Sequence, residues 1–575
     1  MACVYRGRMA ATIRRIGQIG QIGQIRRIGQ IALASAWLLV SLISLLPILG
    51  IVVGLWQPDH MTLADVESFL AYQGLAISVF MTLFSAIFST LISLYIAFMV
   101  YSQYHLSKRL QSFEKYLAPL LSLPHLAIAL GLVFLFSDGS LFFVDSGLPR
   151  KGLSTLIIAI VIKEVPFFLL IFSAIGRQLP IKLWLLQGKA LGYQDYRCWW
   201  FLVFPPMLKQ SRLALLAATA YTLSVVDVSL LVGPNIPELF AVSVYRWQTS
   251  FAAGDQALAF WANALLLILL AVSVFILYAH EKLAHAGCKA LATQGSRFYI
   301  GIISPVFKAW LPMLGLLTAM MVLVFVLWSL GVNLHTVSFD HSDRFALIQL
   351  TTRLWQDEWL FFALPLQNSL LIAIFAGVLG VAFALLALEL QRQKGKFWPD
   401  YYWLLAIILP QLSMVLGWQI LHIWSQGGYH SGWIVLSHLP FTFAYAYLVL
   451  KGPFQHVEAR YELLAASFGY SSWQSWWQVR FRLLLPAIFT AFAITFSVSI
   501  AQYIPTLMMG AGRVTTITTE AVAIGTGSQQ NLIALYVLLQ SILPFMAFFV
   551  AALLARRFRG SMGADNMGGE SVRHY

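Results

Sequence analysis

The sequence predicts an all-α polytopic membrane protein of about 12 transmembrane helices in two parallel six-helix repeats. Three observations carry this reading. Of 575 residues, 59% are hydrophobic and only 10% are charged, with a mean hydropathy of +0.77, whereas a soluble domain carries about 25% charged residues. Apolar runs of about 18 residues or more recur along the chain, each long enough to cross the hydrocarbon layer as a helix. Finally, one polar, tryptophan-bearing segment occurs twice. Gly192-Tyr193, Trp199-Trp200 and Phe204 return as Gly469-Tyr470, Trp476-Trp477 and Phe481, all five positions 277 residues apart. A β-barrel is excluded, because its strands would alternate apolar and polar residues.

The chain begins with a basic tail, residues 1–32. Ile16 to Ile31 repeat with period three as IGQ-IGQ-IGQ-IRR-IGQ-I, and six arginines precede the first acidic residue, Asp59. Period three does not fit an α-helix, and glycine weakens one. The tail reads as an unselected low-complexity extension or as an arginine-rich anchor on anionic lipid. No A-x-A-like site closes the first apolar run, so that run reads as a retained span.

The first half, residues 33–280, places spans at roughly 33–55, 75–101, 117–137, 154–176, 210–233 and 257–280. Span two opens with Gln73-Gly74-Leu75. Span four is interrupted by Lys163-Glu164 and Pro166, which read as a kink with a local ion pair. A polar linker, 281–308, leads to the second half, 309–555. Its spans fall at roughly 309–332, 367–391, 402–425, 431–451, 487–510 and 531–555, followed by a tail, 556–575. Gln367-Asn368-Ser369-Leu370 answers the start of span two, and Glu520-Ala521-Val522 can be set against Phe240-Ala241-Val242 with a small gap.

Orientation follows from the loops. Lys and Arg collect on one side (Lys108, Arg109, Lys115, the 177–212 and 451–486 loops, and Arg556, Arg557, Arg559), and the opposite loops are acidic or mixed. The positive-inside rule then puts both termini in the cytosol. The net charge of +14 therefore reflects membrane topology rather than nucleic-acid binding. Six spans per half give both halves the same orientation, a parallel repeat. Cys3, Cys198 and Cys288 fall in loops of the basic side and make no disulfide or metal pattern.

Each repeated loop reads as a short interfacial helix closed by glycine in the left-handed region, then an aromatic stretch. Interfacial anchoring explains part of the tryptophan signal. A fixed distance from glycine to the tryptophan pair in both halves points further, to docking of a partner.

These loops resemble the EAA loop of ABC-importer permeases, whose pattern is E-A-A, three residues, Gly, then I-x-L-P. Gly192 and Gly469 match its central glycine. The preceding positions hold Leu186, Gln187 and Gly188 in one copy and Leu463, Leu464 and Ala465 in the other, so only Ala465 keeps a motif alanine. Glu462 stands one residue early. Pro205 matches the closing proline in copy one; copy two has Arg482 there, with Pro486 four residues later. The chain is similar, from about residue 60 to 555, to the fused two-half permeases of the thiamine and ferric-iron group, with a type I ABC-importer fold. The stretch Tyr503-Ile504-Pro505-Thr506-Leu507 to Gly510-Ala511-Gly512-Arg513 looks like a thiamine-like branch. The resemblance implies several things: an inner-membrane location, an external (periplasmic) substrate-binding protein, and a docking surface on each loop for one of two copies of a cytosolic ABC ATPase. That surface would comprise Leu186, Gln187, Gly188, Ala190, Gly192 and Pro205, and Glu462, Leu464, Ala465, Ala466, Gly469 and Pro486. The chain has no G-x-x-x-x-G-K-[ST], so ATP would be hydrolysed by the partner and no cofactor is expected here.

Asp227 lies mid-span in span five. A carboxylate there costs at least about 2.5–3.5 kcal/mol, so it faces protein or water. It reads as a residue of the translocation path facing a cation, or as a helix-to-helix hydrogen bond. Gln502 sits near the corresponding place in span eleven, and Glu520 follows it; these three are the path candidates. Glu281 and Glu389 read as interfacial, and Met508-Met509 as packing. A proton- or sodium-coupled transporter of two six-helix halves is the alternative, but it would use more intramembrane charges and gives no reason for matched loops. No paired His or carboxylate cluster suggests an enzyme.

Overall fold

Breaks in the apolar runs position everything that follows. The structure is a computed structural model and describes residues 34–105, 124–136, 149–250, 252–294, 304–329, 359–395, 398–525, 527 and 530–567. The first half runs α1 (34–55), α2 (Leu63–Leu70), α3 (Leu75–Tyr104), α4 (His125–Phe136), α5 (Leu153–Gly176), α6 (Ile181–Ala190), α7 (Asp195–Cys198), α8 (Phe204–Gln210), α9 (Arg212–Leu223), α10 (Asp227–Val232), α11 (Phe240–Thr249) and α12 (Ala253–Thr293). The second runs α13 (Ser304–Ser329), α14 (Trp359–Lys394), α15 (Asp400–Trp403), α16 (Leu405–Ile408), α17 (Gln411–Trp424), α18 (Ser431–His456), α19 (Ala459–Ser467), α20 (Ser472–Ser475), α21 (Phe481–Ala501), α22 (Ile504–Gly510), α23 (Ile517–Gly525) and α24 (Gln530–Met567). Among the described residues, nine helices are long and apolar enough to cross a membrane.

The spans that differ from expectation differ for local reasons. Span five is not continuous: α9 stops at Leu223, and α10 restarts at Asp227. Span eleven breaks after Ala501, and span nine reaches Gln411 through two four-residue turns ended by Pro410. Proline has no N–H to extend the preceding helix, but it suits a helix start. Span four, expected to kink at Lys163-Glu164 and Pro166, is one continuous helix, α5, with Pro166 inside it. Residues 281–293, expected as linker, continue α12, which places Cys288 on a helix instead of a loop. The basic tail, with Cys3, and residues 106–123, which include the start of span three, lie outside the described residues.

The repeat is tighter than the sequence comparison suggested. The same step of 277 residues pairs Phe240 with Ile517, without a gap, so the expected pairing of Phe240 with Glu520 is corrected. Both residues open a helix, and each N–H donates to a hydroxyl on span two: Phe240 to Thr82 Oγ1 and Ile517 to Ser369 Oγ, both at 2.9 Å. A side chain of the same spans also holds each preceding turn. Ser78 Oγ donates to the Glu238 carbonyl at 2.5 Å, and Asn368 Nδ2 to that of Thr515 at 2.9 Å.

α3 shows how such helices pack. Ser78, Thr82, Ser85, Ser89 and Ser93 are buried on one face, small residues that let helices approach closely in lipid. Phe80, Phe84 and Phe88 lie outward and stack along the helix, with ring centroids 5.9 and 4.9 Å apart.

The two halves exchange their first spans. Trp37, Val40 and Ile43 of α1 pack among Ala384, Leu388, Trp403 and Tyr447 of the second half. Trp418 Nε1 donates to the Leu46 carbonyl at 2.9 Å, and a Cβ on Gly417 would lie 1.7 Å from the Gly50 oxygen. In return, α13 lies on α3 and α4. Trp328 packs on Phe134 with ring centroids 4.3 Å apart, Met321 fills the space beside Gly131, and the Tyr104 hydroxyl donates to the Lys308 carbonyl.

Candidate functional site

From the end of the short helix through the tryptophan pair, the two repeated loops fold in step. α6 and α19 each end at a cap (Leu191, Phe468) followed by a left-handed glycine, Gly192 at φ 81° and Gly469 at φ 85°. Tyr193 N–H then donates to the Gly188 carbonyl at 3.0 Å, and Gly192 N–H to that of Lys189 at 2.9 Å. In the second copy Tyr470 N–H reaches the Ala465 carbonyl at 3.1 Å and Gly469 N–H that of Ala466 at 3.0 Å. This is a Schellman closure in both copies. A single turn follows (α7, α20), then a π-helical turn holding the tryptophan pair, Trp199–Val203 and Trp476–Arg480. That turn runs directly into the next span.

The residue four before each glycine is small because the helix lies against the turn behind it. A Cβ on Gly188 would meet Cys198 Sγ at 2.4 Å. In the second copy Ala465 is buried at the same position, and its counterpart across the contact is Ser475, smaller than cysteine. The Gly–Cys and Ala–Ser pairs fill comparable volumes. Burial pushes the Cys198 thiol up, which keeps it protonated and unreactive near neutral pH.

Large apolar side chains stand among the outward residues. Leu186 and Leu463 are 65% and 71% exposed, Leu191 and Phe468 are 77% and 80% exposed, and Leu464 adds 54%. Gln187, Ala190 and Ala466 are also exposed, while Pro205 is buried at the start of α8 and Pro486 is half-buried within α21. Glu462 turns inward to Arg392 and Arg480. The first loop is braced by α12: Tyr193 Oη donates to the Ala292 carbonyl at 2.8 Å, and Arg212 forms a two-pronged pair with Glu281 at 2.6 Å. The Lys189–Asp195 pair, 2.8 Å, spans the glycine turn in solvent and contributes little.

A second feature lies between the halves, a cavity of about 410 Å³. Three helix breaks, Ser224–Val226, Leu409–Gln411 and Gln502–Tyr503, meet at its wall with the start of α4 at Pro124–His125. The Gln411 side chain donates to Gln502 Oε1, and the Gln411 N–H to Ser224 Oγ at 3.4 Å, joining the halves. Asp227 and Glu164 line the cavity with Lys163, Tyr221, Tyr445 and Tyr503. Thr222 Oγ1 donates to one Glu164 oxygen at 3.3 Å, and the other is buried without a partner. Asp227 is the first residue of α10 and is half-buried, with no ion pair among the described residues. Asp227 and Gln502 are thus brought together, whereas Glu520, on α23, is not among the residues lining this cavity. Met508 and Met509 are core residues.

The wall residues at Pro124–His125 and Pro410–Gln411 are absent from the sequence-based candidates. Their signal was there: Leu123-Pro124-His125-Leu126 with Gly131 and Leu409-Pro410-Gln411-Leu412 with Gly417 form a second repeat, 286 residues apart.

Comparison with known proteins decides what this architecture is. The chain is 30% identical over 448 residues to the inner membrane ABC transporter permease protein YnjC of Escherichia coli (strain K12), covering 76% of this chain and 80% of that protein. This chain belongs to the ABC-transporter permease family. It is an inner-membrane permease with an all-helical polytopic fold. Spermidine/putrescine transport system permease protein PotC homologues match over a shorter stretch: the one from Mycoplasma genitalium is 29% identical over 28% of this chain and 58% of its own length, and that from Mycoplasma pneumoniae is 24% identical over the same shares. No family model and no solved structure matches the permease.

Proposed function

We propose that this permease forms the translocation pathway of a binding-protein-dependent ABC importer, with both termini cytosolic. An external substrate-binding protein delivers a small solute, and two copies of a cytosolic ATPase supply the energy. The observation that carries this reading is the pair of Schellman-closed helices with outward leucine and phenylalanine side chains. A rigid helix tied on both sides to spans carries a partner's movement into the membrane as a rigid-body shift, and one such helix per half suits two ATPase subunits. The chain purified with its ATPase and binding protein in proteoliposomes is expected to hydrolyse ATP faster when the loaded binding protein is added. Uptake driven by a proton or sodium gradient without ATP, or failure to retain any ATPase, would overturn the reading.

The solute is a small organic cation, of the thiamine-like or polyamine kind. Two carboxylates, Asp227 and Glu164, face the cavity against one ammonium, Lys163, and tyrosines supply rings on which a cation can stack. Asp227→Asn removes a cavity carboxylate that has no ion-pair partner among the described residues. A hydrogen bond to a charged group is worth about 1.5–3 kcal/mol, so cation uptake is expected to fall at least about tenfold with ATPase binding retained. Radiolabelled uptake by cells expressing the variant measures this, and undiminished uptake would refute the assignment.

A further inference from the structure

The two docking helices are held by different physics. Behind α19 lies a four-charge cluster. Arg480 Nε is 2.9 Å from Glu462 Oε1, Arg392 Nη1 is 3.0 Å from Glu462 Oε2, and Arg392 Nη2 is 2.5 Å from Glu389 Oε1. Arg480 Nη1 completes the ring 3.8 Å from Glu389 Oε2. The Arg480 side chain is only 4% exposed. It also donates to the Val457 carbonyl at 3.3 Å and lies over the Phe454 ring at 4.7 Å, and Trp476 Nε1 donates to Glu389 Oε2 at 3.2 Å. One cluster thus fastens the end of α18, the docking helix α19, the π-helical turn and the end of α14.

At the positions matching Glu462 and Arg480 the first half is apolar, and its loop is braced instead by the Arg212–Glu281 pair of α9 and α12. A step of 277 residues sets Glu462 against Leu185 and Arg480 against Val203, and both of these pack in the apolar core beneath α6. Apolar packing is non-directional. The Arg392 hydrogen bonds to Glu389 and Glu462 fix orientation as well as distance, and Arg480, buried behind them, adds its charge at 2.9 Å from Glu462.

We infer that Arg480 and its cluster are a positioning element that locks the second docking helix to α14 and so carries the ATPase stroke into the second half. This rests on the docking reading above. The measurement is the number of ATP molecules hydrolysed per solute imported by the reconstituted complex, with retained ATPase and thermal stability read from the same preparation. Arg480→Val leaves Glu462 and Glu389 to share Arg392 alone. It is expected to retain bound ATPase yet raise the ATP-to-solute ratio at least fivefold. The paired variant E462L/R480V reproduces the first-half contact of Leu185 and Val203 and is expected to recover most of the coupling. An unchanged ratio in Arg480→Val would overturn the inference. So would uptake and stability falling in proportion with the ratio constant, since that is the mark of a purely structural cluster. If the unsubstituted chain retains no ATPase, the docking reading fails first and this inference with it. If it does, the variants alone decide.

Discussion

Gly192→Val combined with Gly469→Val is expected to abolish solute uptake while leaving membrane insertion intact. Both glycines sit at φ above 80°, where a non-glycine residue costs roughly 1–2 kcal/mol and a β-branched one more. No atom lies within 4 Å of a Cβ built at either position, so crowding plays no part and the cost is wholly in the backbone. The chain can escape that cost by abandoning the left-handed turn. The Gly188, Lys189, Ala465 and Ala466 carbonyls then lose their partners, and the helix no longer points its apolar side chains in a fixed direction. Asparagine visits the same backbone region more easily, so Gly192→Asn with Gly469→Asn is expected to keep most of the uptake. Uptake in cells, normalised to permease in the membrane fraction, measures both variants. Full transport by the valine pair would show that the closure is dispensable.

Replacing the outward apolar side chains should strike the partner directly. Leu463→Asp and Phe468→Asp together are expected to weaken ATPase binding by at least about 100-fold. Burying a leucine or phenylalanine side chain is worth about 1.5–3 kcal/mol each, and each factor of ten in binding corresponds to about 1.4 kcal/mol. Titration of purified ATPase onto the permease in nanodiscs reads the change. Unaltered affinity would mean that these side chains rest in lipid headgroups instead of against a protein.

Much of this was legible in the sequence because the controlling features are local. An apolar run of span length dictates a helix in lipid, and a glycine at a fixed distance from two tryptophans in both halves marks a closure. Gly192 and Gly469 therefore stood out before any coordinates. The broken spans did not, because a hydropathy window averages across a break as short as Ser224–Val226. Prolines such as Pro410 hinted at the restarts, while Pro166 lies in an unbroken helix; the same residue type gives opposite outcomes depending on whether neighbouring helices accommodate it. Glu462 shows a different limit. Its position one residue before the motif glutamate could be read in the sequence. Its inward turn depends on Arg392, about 70 residues away in sequence, and no local pattern carries that information.

The exchange of first spans has a consequence for how the chain is made. Leu46 and Trp418, which meet through a hydrogen bond, are separated by 372 positions. At synthesis rates of ~5–20 residues per second, α1 emerges from the ribosome roughly 20–75 s before its neighbour α17 exists. During that interval Gly50 and Gly54 face lipid, and the shallow groove they form has nothing to fill it. Final assembly therefore has to wait for the second half to be inserted, and a ribosome stalled between the halves would leave a fragment whose first helix has no seat.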